Sequence, residues 1–217
     1  MKKNRSVMIS LGMAVILGVA LSGCGVVKKA ASTKVVTDAS TDASEGYVLA
    51  QQTGVLGEKW SEFTVQLNST VITLPGNALY LEKLGLKMDT SLMSKDTLVN
   101  GGNRESVYFK NEFGDAILVT LMNPNRTPRA LHDCLVTGIA VTEYDLDGGH
   151  LNVIFPGGVG LYSDKSTAIH AYGSDYEEYQ SDTVHMYTWH VTDSYYKSCE
   201  IDYDAASGKA VGMFLNF

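Results

Sequence analysis

Five histidines and three cysteines are the side chains best suited to metal binding or nucleophilic chemistry. His185 and His190 lie five apart in an alternating stretch, so they point to opposite faces of a strand and cannot share a metal from there. His132 and His150 stand alone, and His170 falls on the exposed side of an expected helix. No His-Glu-x-x-His or Cys-x-x-Cys spacing is present. Asp145-x-Asp147-Gly148-Gly149 opens like a calcium loop, but its sixth and twelfth positions are His150 and Pro156 rather than Gly and Glu. It reads as a turn, with a weak calcium site as the alternative. Pro156-Gly157-Gly158-Val159-Gly160 lacks the Lys-Ser/Thr ending of a phosphate loop and reads as a flexible entry to a helix. No serine sits in a Gly-x-Ser-x-Gly elbow. No metal, cofactor or catalytic residue is expected.

Cys199 shares a strand face with Ile201 and Tyr203, the position of a small buried apolar residue. Export would permit a Cys134–Cys199 disulfide. Two reduced core cysteines are the preferred reading, because an oxidising compartment does not by itself create disulfide geometry.

The aromatic residues are unevenly placed. Seven of the twelve tyrosines fall between Tyr172 and Tyr203, together with Trp189, and Asp175, Glu177, Glu178 and Asp182 are interspersed. Tyr and Trp give rigid contact area with a polar tip, so Tyr176, Tyr179, Trp189 and Tyr195 form a candidate binding surface. Ordinary half-buried strand positions account for tyrosines as well. The competing enzymatic reading is an exported hydrolase or glycan-acting enzyme using Asp175, Glu177 or Asp182, which would need paired carboxylates about 5–10 Å apart across a cleft.

The elements that must position these residues are mostly strands. Phe63, Val65 and Leu67 alternate with polar residues, turn at Asn68-Ser69, and return as Val71 to Leu74. Later strands read Val107–Phe109, Ile117–Leu121, Leu135–Val141, Leu151–Phe155, Val184–Val191, Cys199–Tyr203 and Val211–Leu215, with Gly114 and Gly208 at hairpin turns. Short helices are expected over 77–84, ending at Gly85, and over 164–172, capped by Ser163 and ending at Gly173. The class is α+β, with antiparallel sheets. The order strand, Pro-Gly, helix, Gly, hairpin occurs twice, from Val71 and from Asn152, which suggests a duplication over 58–145 and 146–217.

Gly160, Ser163, Ile169, Tyr172-Gly173, Tyr187 and the Gly208-Lys209-x-Val211 turn resemble two families. These are the tandem-repeat beta-lactamase inhibitory proteins and the small lipoproteins of the outer-membrane assembly machinery. The pattern is also similar to uncharacterised lipoproteins common in Gram-positive anaerobes. The first half lacks a clear Gly-x-x-x-Ser entry and has a compressed helix region. The resemblance implies binding without catalysis.

The N-terminus reads as an address. Lys2, Lys3 and Arg5 precede an apolar run from Val7 to Leu21, which is short for a stable span of about 20 residues. Leu21-Ser22-Gly23-Cys24 resembles a bacterial lipobox. The resemblance implies lipidation of Cys24, removal of residues 1–23, and a protein anchored at the extracytoplasmic face of the cell membrane. The alternatives are an ordinary signal peptide cut elsewhere and a retained anchor helix. Residues 24–57 read as a tether, because an Ala/Ser/Thr/Lys/Asp-rich stretch without periodicity buries too little surface to order itself.

Composition agrees with an exported domain. The 217 residues carry a formal charge of −7, with 45% hydrophobic residues and 19% charged ones, which excludes a disordered or multi-span membrane chain. Three of the 17 basic residues and none of the 24 acidic ones precede Cys24, so the remainder carries −10. That balance argues against nucleic acid as a partner. The expected partners are the membrane, through the lipid, and an unidentified protein or component of the cell envelope.

Overall fold

The computed structural model describes residues 50–217. The segment from Met1 to Leu49, with Leu21, Ser22, Gly23 and Cys24, lies outside the described residues. No helix among the described residues is long and apolar enough to cross a membrane.

The strands in chain order are β1 (Thr64–Leu67), β2 (Thr70–Thr73), β3 (Gly76–Asn77), β4 (Lys87–Met88), β5 (Leu98–Val99), β6 (Arg104–Lys110), β7 (Ala116–Met122) and β8 (Arg129–Ala130). They continue as β9 (Leu135–Thr142), β10 (Val153–Phe155), β11 (Val159–Gly160), β12 (Glu177–Gln180), β13 (Val184–Val191), β14 (Ser194–Asp204) and β15 (Ala210–Asn216). Two short helices, α1 (Leu79–Lys83) and α2 (Lys165–Tyr172), join them. The chain is therefore a β-rich α+β protein with antiparallel pairing, as its alternation predicts.

The main sheet has the order β12-β13-β14-β15-β9-β7-β6-β4, with β3 added on β9. A smaller sheet runs β11-β10-β1-β2, and β5 pairs with β8. One face of the main sheet is the floor of the core. There Phe109, Ile117, Ile139, Ile201, Met213 and Leu215 are all at most 1% exposed. Their neighbours along each strand point the other way and are half-buried or exposed, apart from the small residues Ala116, Gly138 and Gly212, which are buried.

Helix α2 lies on the core side with Ala168 fully buried. It approaches the Pro156–Gly158 turn so closely that a Cβ on Gly157 would stand 2.4 Å from the Ala171 Cβ, and Gly157 has φ +70°. Glycine is required there on both counts. Gly173, at φ +86°, closes the helix by donating its N–H to the Ile169 carbonyl. Ser163 is not the cap. Asp164 occupies that position, and the Ser163 hydroxyl donates to the Gly160 carbonyl at 2.7 Å.

The packed chain begins earlier than the sequence suggests. Ala50 donates to the Pro75 carbonyl, and the Gln52 side chain both accepts from the Thr73 N–H and donates to the Thr73 carbonyl. Gly57 donates to Thr64 Oγ1 and accepts from the Gly157 N–H. Residues 50–57 thus belong to the folded unit rather than to a tether. Backbone groups, one amide and the Thr64 hydroxyl hold them, so apolar periodicity carries no trace of the docking.

Candidate interaction surface

The tyrosine-rich region forms an internal aromatic layer between α2 and the core face of β13 and β14. Tyr172 meets Trp189 edge-on at 5.3 Å, Tyr176 meets Tyr187 at 5.0 Å and Trp189 at 5.4 Å, and Tyr187 meets Tyr203 at 5.6 Å. These are the spacings that the ring quadrupole favours. The polar tips are used internally. The Tyr172 hydroxyl donates to the Pro156 carbonyl at 2.7 Å, and Trp189 Nε1 donates to the Gly173 carbonyl at 3.0 Å. Lys165 lies with Nζ 3.8 Å from the Tyr187 ring centre and 3.7 Å from a Glu178 carboxylate oxygen. Burial opposes its charge, but the Tyr187 and Tyr176 hydroxyls outweigh burial and raise its pKa.

This placement corrects the candidate binding surface. Trp189 is 1% exposed and is a core residue, because its odd-numbered position shares the inner face with Tyr187. Tyr176 is half-buried against the same layer. Tyr179 is 63% exposed on the edge strand β12 and is the one member with an exposed side chain described. Tyr195 falls near the start of β14. The next residue, Tyr196, is exposed and stacks its ring on the Arg104 guanidinium, 5.0 Å away.

The carboxylates of the enzymatic reading do not converge on a described cleft. Asp175, Glu177 and Asp182 are exposed, and Glu177 lies 3.7 Å from His190 Nε2. Glu178 is held below its ordinary pKa, chiefly by a hydrogen bond from Tyr187, the wrong direction for a general acid. A cleft of about 350 Å³ lies elsewhere, lined by Asn68, Leu146, His150, Asn152, Ile154 and Tyr162 among others. None of residues 174–183 lines it.

The remaining motifs resolve into structure. Asp145 Oδ2 accepts from the Thr142 N–H and hydroxyl at 2.8 Å each, capping the 3₁₀ turn Glu143–Leu146. His150 stacks on Phe113 at 3.9 Å. His132 Nδ1 is 2.9 Å from the Lys95 carbonyl oxygen. Cys134 and Cys199 are both buried and unpaired with each other. Burial pushes the Cys134 thiol up to about 11 and the Cys199 thiol higher still, so neither is a nucleophile at neutral pH.

The second face of the main sheet was not singled out by sequence reasoning, although the sequence carries its signal. In Cys199-Glu200-Ile201-Asp202-Tyr203, the odd residues are buried and the acids stand on the opposite face. Register places Glu200 between Thr188 and Phe214, then Ala140, Leu118 and Tyr108 in one row across the sheet. Asp202 lies between Met186 and Gly212. Glu200 accepts from the Thr188 hydroxyl at 3.1 Å, and burial raises its pKa. Burial, and secondarily the charge of Glu200, lifts Asp202 to about 7. Asp202 Oδ1 is buried without a hydrogen-bond partner.

Compared with protein-family models, curated proteins and solved structures, the chain matches none.

Proposed function

We propose that this chain is a lipid-anchored, extracytoplasmic binding module without enzymatic activity, tethered through Cys24 and engaging a protein or envelope partner. The observation that carries the binding reading is the main sheet. Eight strands lie side by side with the core on one face, and on the other Glu200, Phe214, Ala140 and Leu118 form one partly exposed row. The basic start, apolar run and Leu-Ser-Gly-Cys sequence support the anchor. We also read the fold as a duplication over 58–145 and 146–217. The mirrored strand order supports it, since the final strands of the two meanders, β9 and β15, meet at the centre.

Fractionation and capture test this reading together. Replacing Cys24 with Ser should move the protein from the membrane to the soluble fraction and abolish incorporation of labelled palmitate. Tyr179→Ala should weaken capture of a partner from membrane extracts at least about threefold, while changing stability by less than about 0.5 kcal/mol. Tyr176→Ala, by contrast, should cost about 2 kcal/mol in denaturant titration, because its ring packs on Tyr187 and Trp189. An unchanged membrane fraction for Cys24→Ser would remove the anchor. Absence of any captured partner would remove the binding module.

A further inference from the structure

The face of the main sheet opposite the core carries two acids beside a half-buried apolar row. Gly212 and Gly138 contribute no side chain, and Ala140 only a methyl group, so neighbouring side chains fold over β15 and β9 along the centre. Both glycines are buried by this packing. A Cβ on Gly212 would stand 3.1 Å from Asp202 Oδ2 and 3.3 Å from the Phe214 ring, and one on Gly138 would stand 2.3 Å from Asn216 Oδ1. Phe214, Ala140 and Leu118 supply apolar surface in one row, and none of the three belongs to the hydrophobic core. Beside them Glu200 and Asp202 project from alternate positions of β14, about 7 Å apart along the strand.

No ion pair among the described residues includes Glu200 or Asp202. The neighbours of Asp202 across the ladder, Met186 and Gly212, are uncharged. The other charged groups on the face are Asp204 two residues further along β14, Glu177 with His190 on the β12 side, and Lys87, Arg104 and the Lys110–Asp89 pair on the β6 side. A buried carboxylate oxygen without a donor is costly to leave so, and an incoming cation would supply what the fold does not.

We propose that this face is a docking site for a protein partner presenting a lysine or arginine beside an apolar side chain, the cation between Glu200 and Asp202 and the apolar group over Phe214 and Ala140. This rests on the binding-module reading and names the chemistry of its partner. Docking completes the Asp202 hydrogen bonding and ionises its carboxyl, so it releases a proton and strengthens as pH rises.

The test is a titration of the ¹⁵N-labelled full chain in detergent micelles with the peptide acetyl-Leu-Arg-Leu-amide, and with the same peptide carrying citrulline for arginine. The arginine peptide should shift amide signals of residues 200–202, 212–214 and 138–140. The citrulline peptide, and the Glu200→Gln/Asp202→Asn variant with the arginine peptide, should each bind about tenfold more weakly. Affinity of the unaltered protein should rise at least about threefold between pH 5 and pH 8. No shifts up to about 10 mM peptide, equal binding of the citrulline peptide, or shifts centred on another surface would overturn the proposal. Should the double variant fail to fold, the citrulline and pH comparisons on the unaltered protein decide alone. A membrane partner captured equally by unaltered protein and double variant would leave the binding module standing and remove this docking site.

Discussion

Asp202 shows how one side chain links the open face to stability. Its carboxyl titrates at about 7 in the folded chain against an ordinary 3.8, because burial and the Glu200 charge both disfavour the anion. Between those values the folded state holds a proton that the unfolded state has lost. The contribution of Asp202 to native stability therefore falls as pH climbs through this window and levels off above about 7. Asp202→Asn removes the titrating group. Thermal melts should show the variant on the order of 3 °C more stable than the unaltered protein at pH 8, with the difference vanishing near pH 4. A difference independent of pH would assign the effect to packing instead. Trp189 teaches the converse lesson. Its richness in contact area suggested a surface role, whereas its parity with Tyr187 and Cys199 already placed it inside.

At the scale of elements, the strands with apolar alternation were legible because burial on one face only enforces period two. β13 begins and ends where the alternation does, and the hairpin glycines Gly114 and Gly208 have the positive φ their turns need. The two-residue strands β3, β4, β5, β8 and β11 are too short to carry a period. β12 was missed for another reason. Its residues Glu-Glu-Tyr-Gln are all exposed at a sheet edge, so pairing rather than burial makes it a strand. The glycine-rich 156–160 segment was legible as a loop but not as a contact. Gly157 accommodates α2 at Ala171 while holding Gly57 by a hydrogen bond. Gly157→Ala should cost at least about 2 kcal/mol, read as a Tm lower by roughly 4–8 °C. Gly158→Ala, which meets no neighbour but has φ +77°, should cost only the backbone strain of about 1 kcal/mol. Equal losses would show that the α2 contact contributes nothing.

At the scale of the molecule, the sequence disclosed the elements but not how they are arranged. The β1–β10 pairing joins residues about ninety positions apart, and β15 inserts between β14 and β9. Nothing in local pattern specifies such long-range partners. The insertion of β15 has an energetic signature. Its Met213 and Leu215 are fully buried, and it bonds to a strand on each side. Removing residues 210–217 should abolish the single cooperative unfolding transition of the whole domain in circular dichroism. Survival of that transition would make β15 dispensable.

The central position of β15 also sets an order of events in time. A polypeptide emerging amino-terminus first, from a ribosome or through a translocation channel, delivers β6, β7 and β9 long before the strand that joins them to β13 and β14. Until Ala210–Asn216 arrives, β9 and β14 each present an unpaired inner edge, the configuration most open to mispairing with another chain. Completion of the sheet is therefore a late event of synthesis, and the nascent chain depends until then on whatever shields those edges.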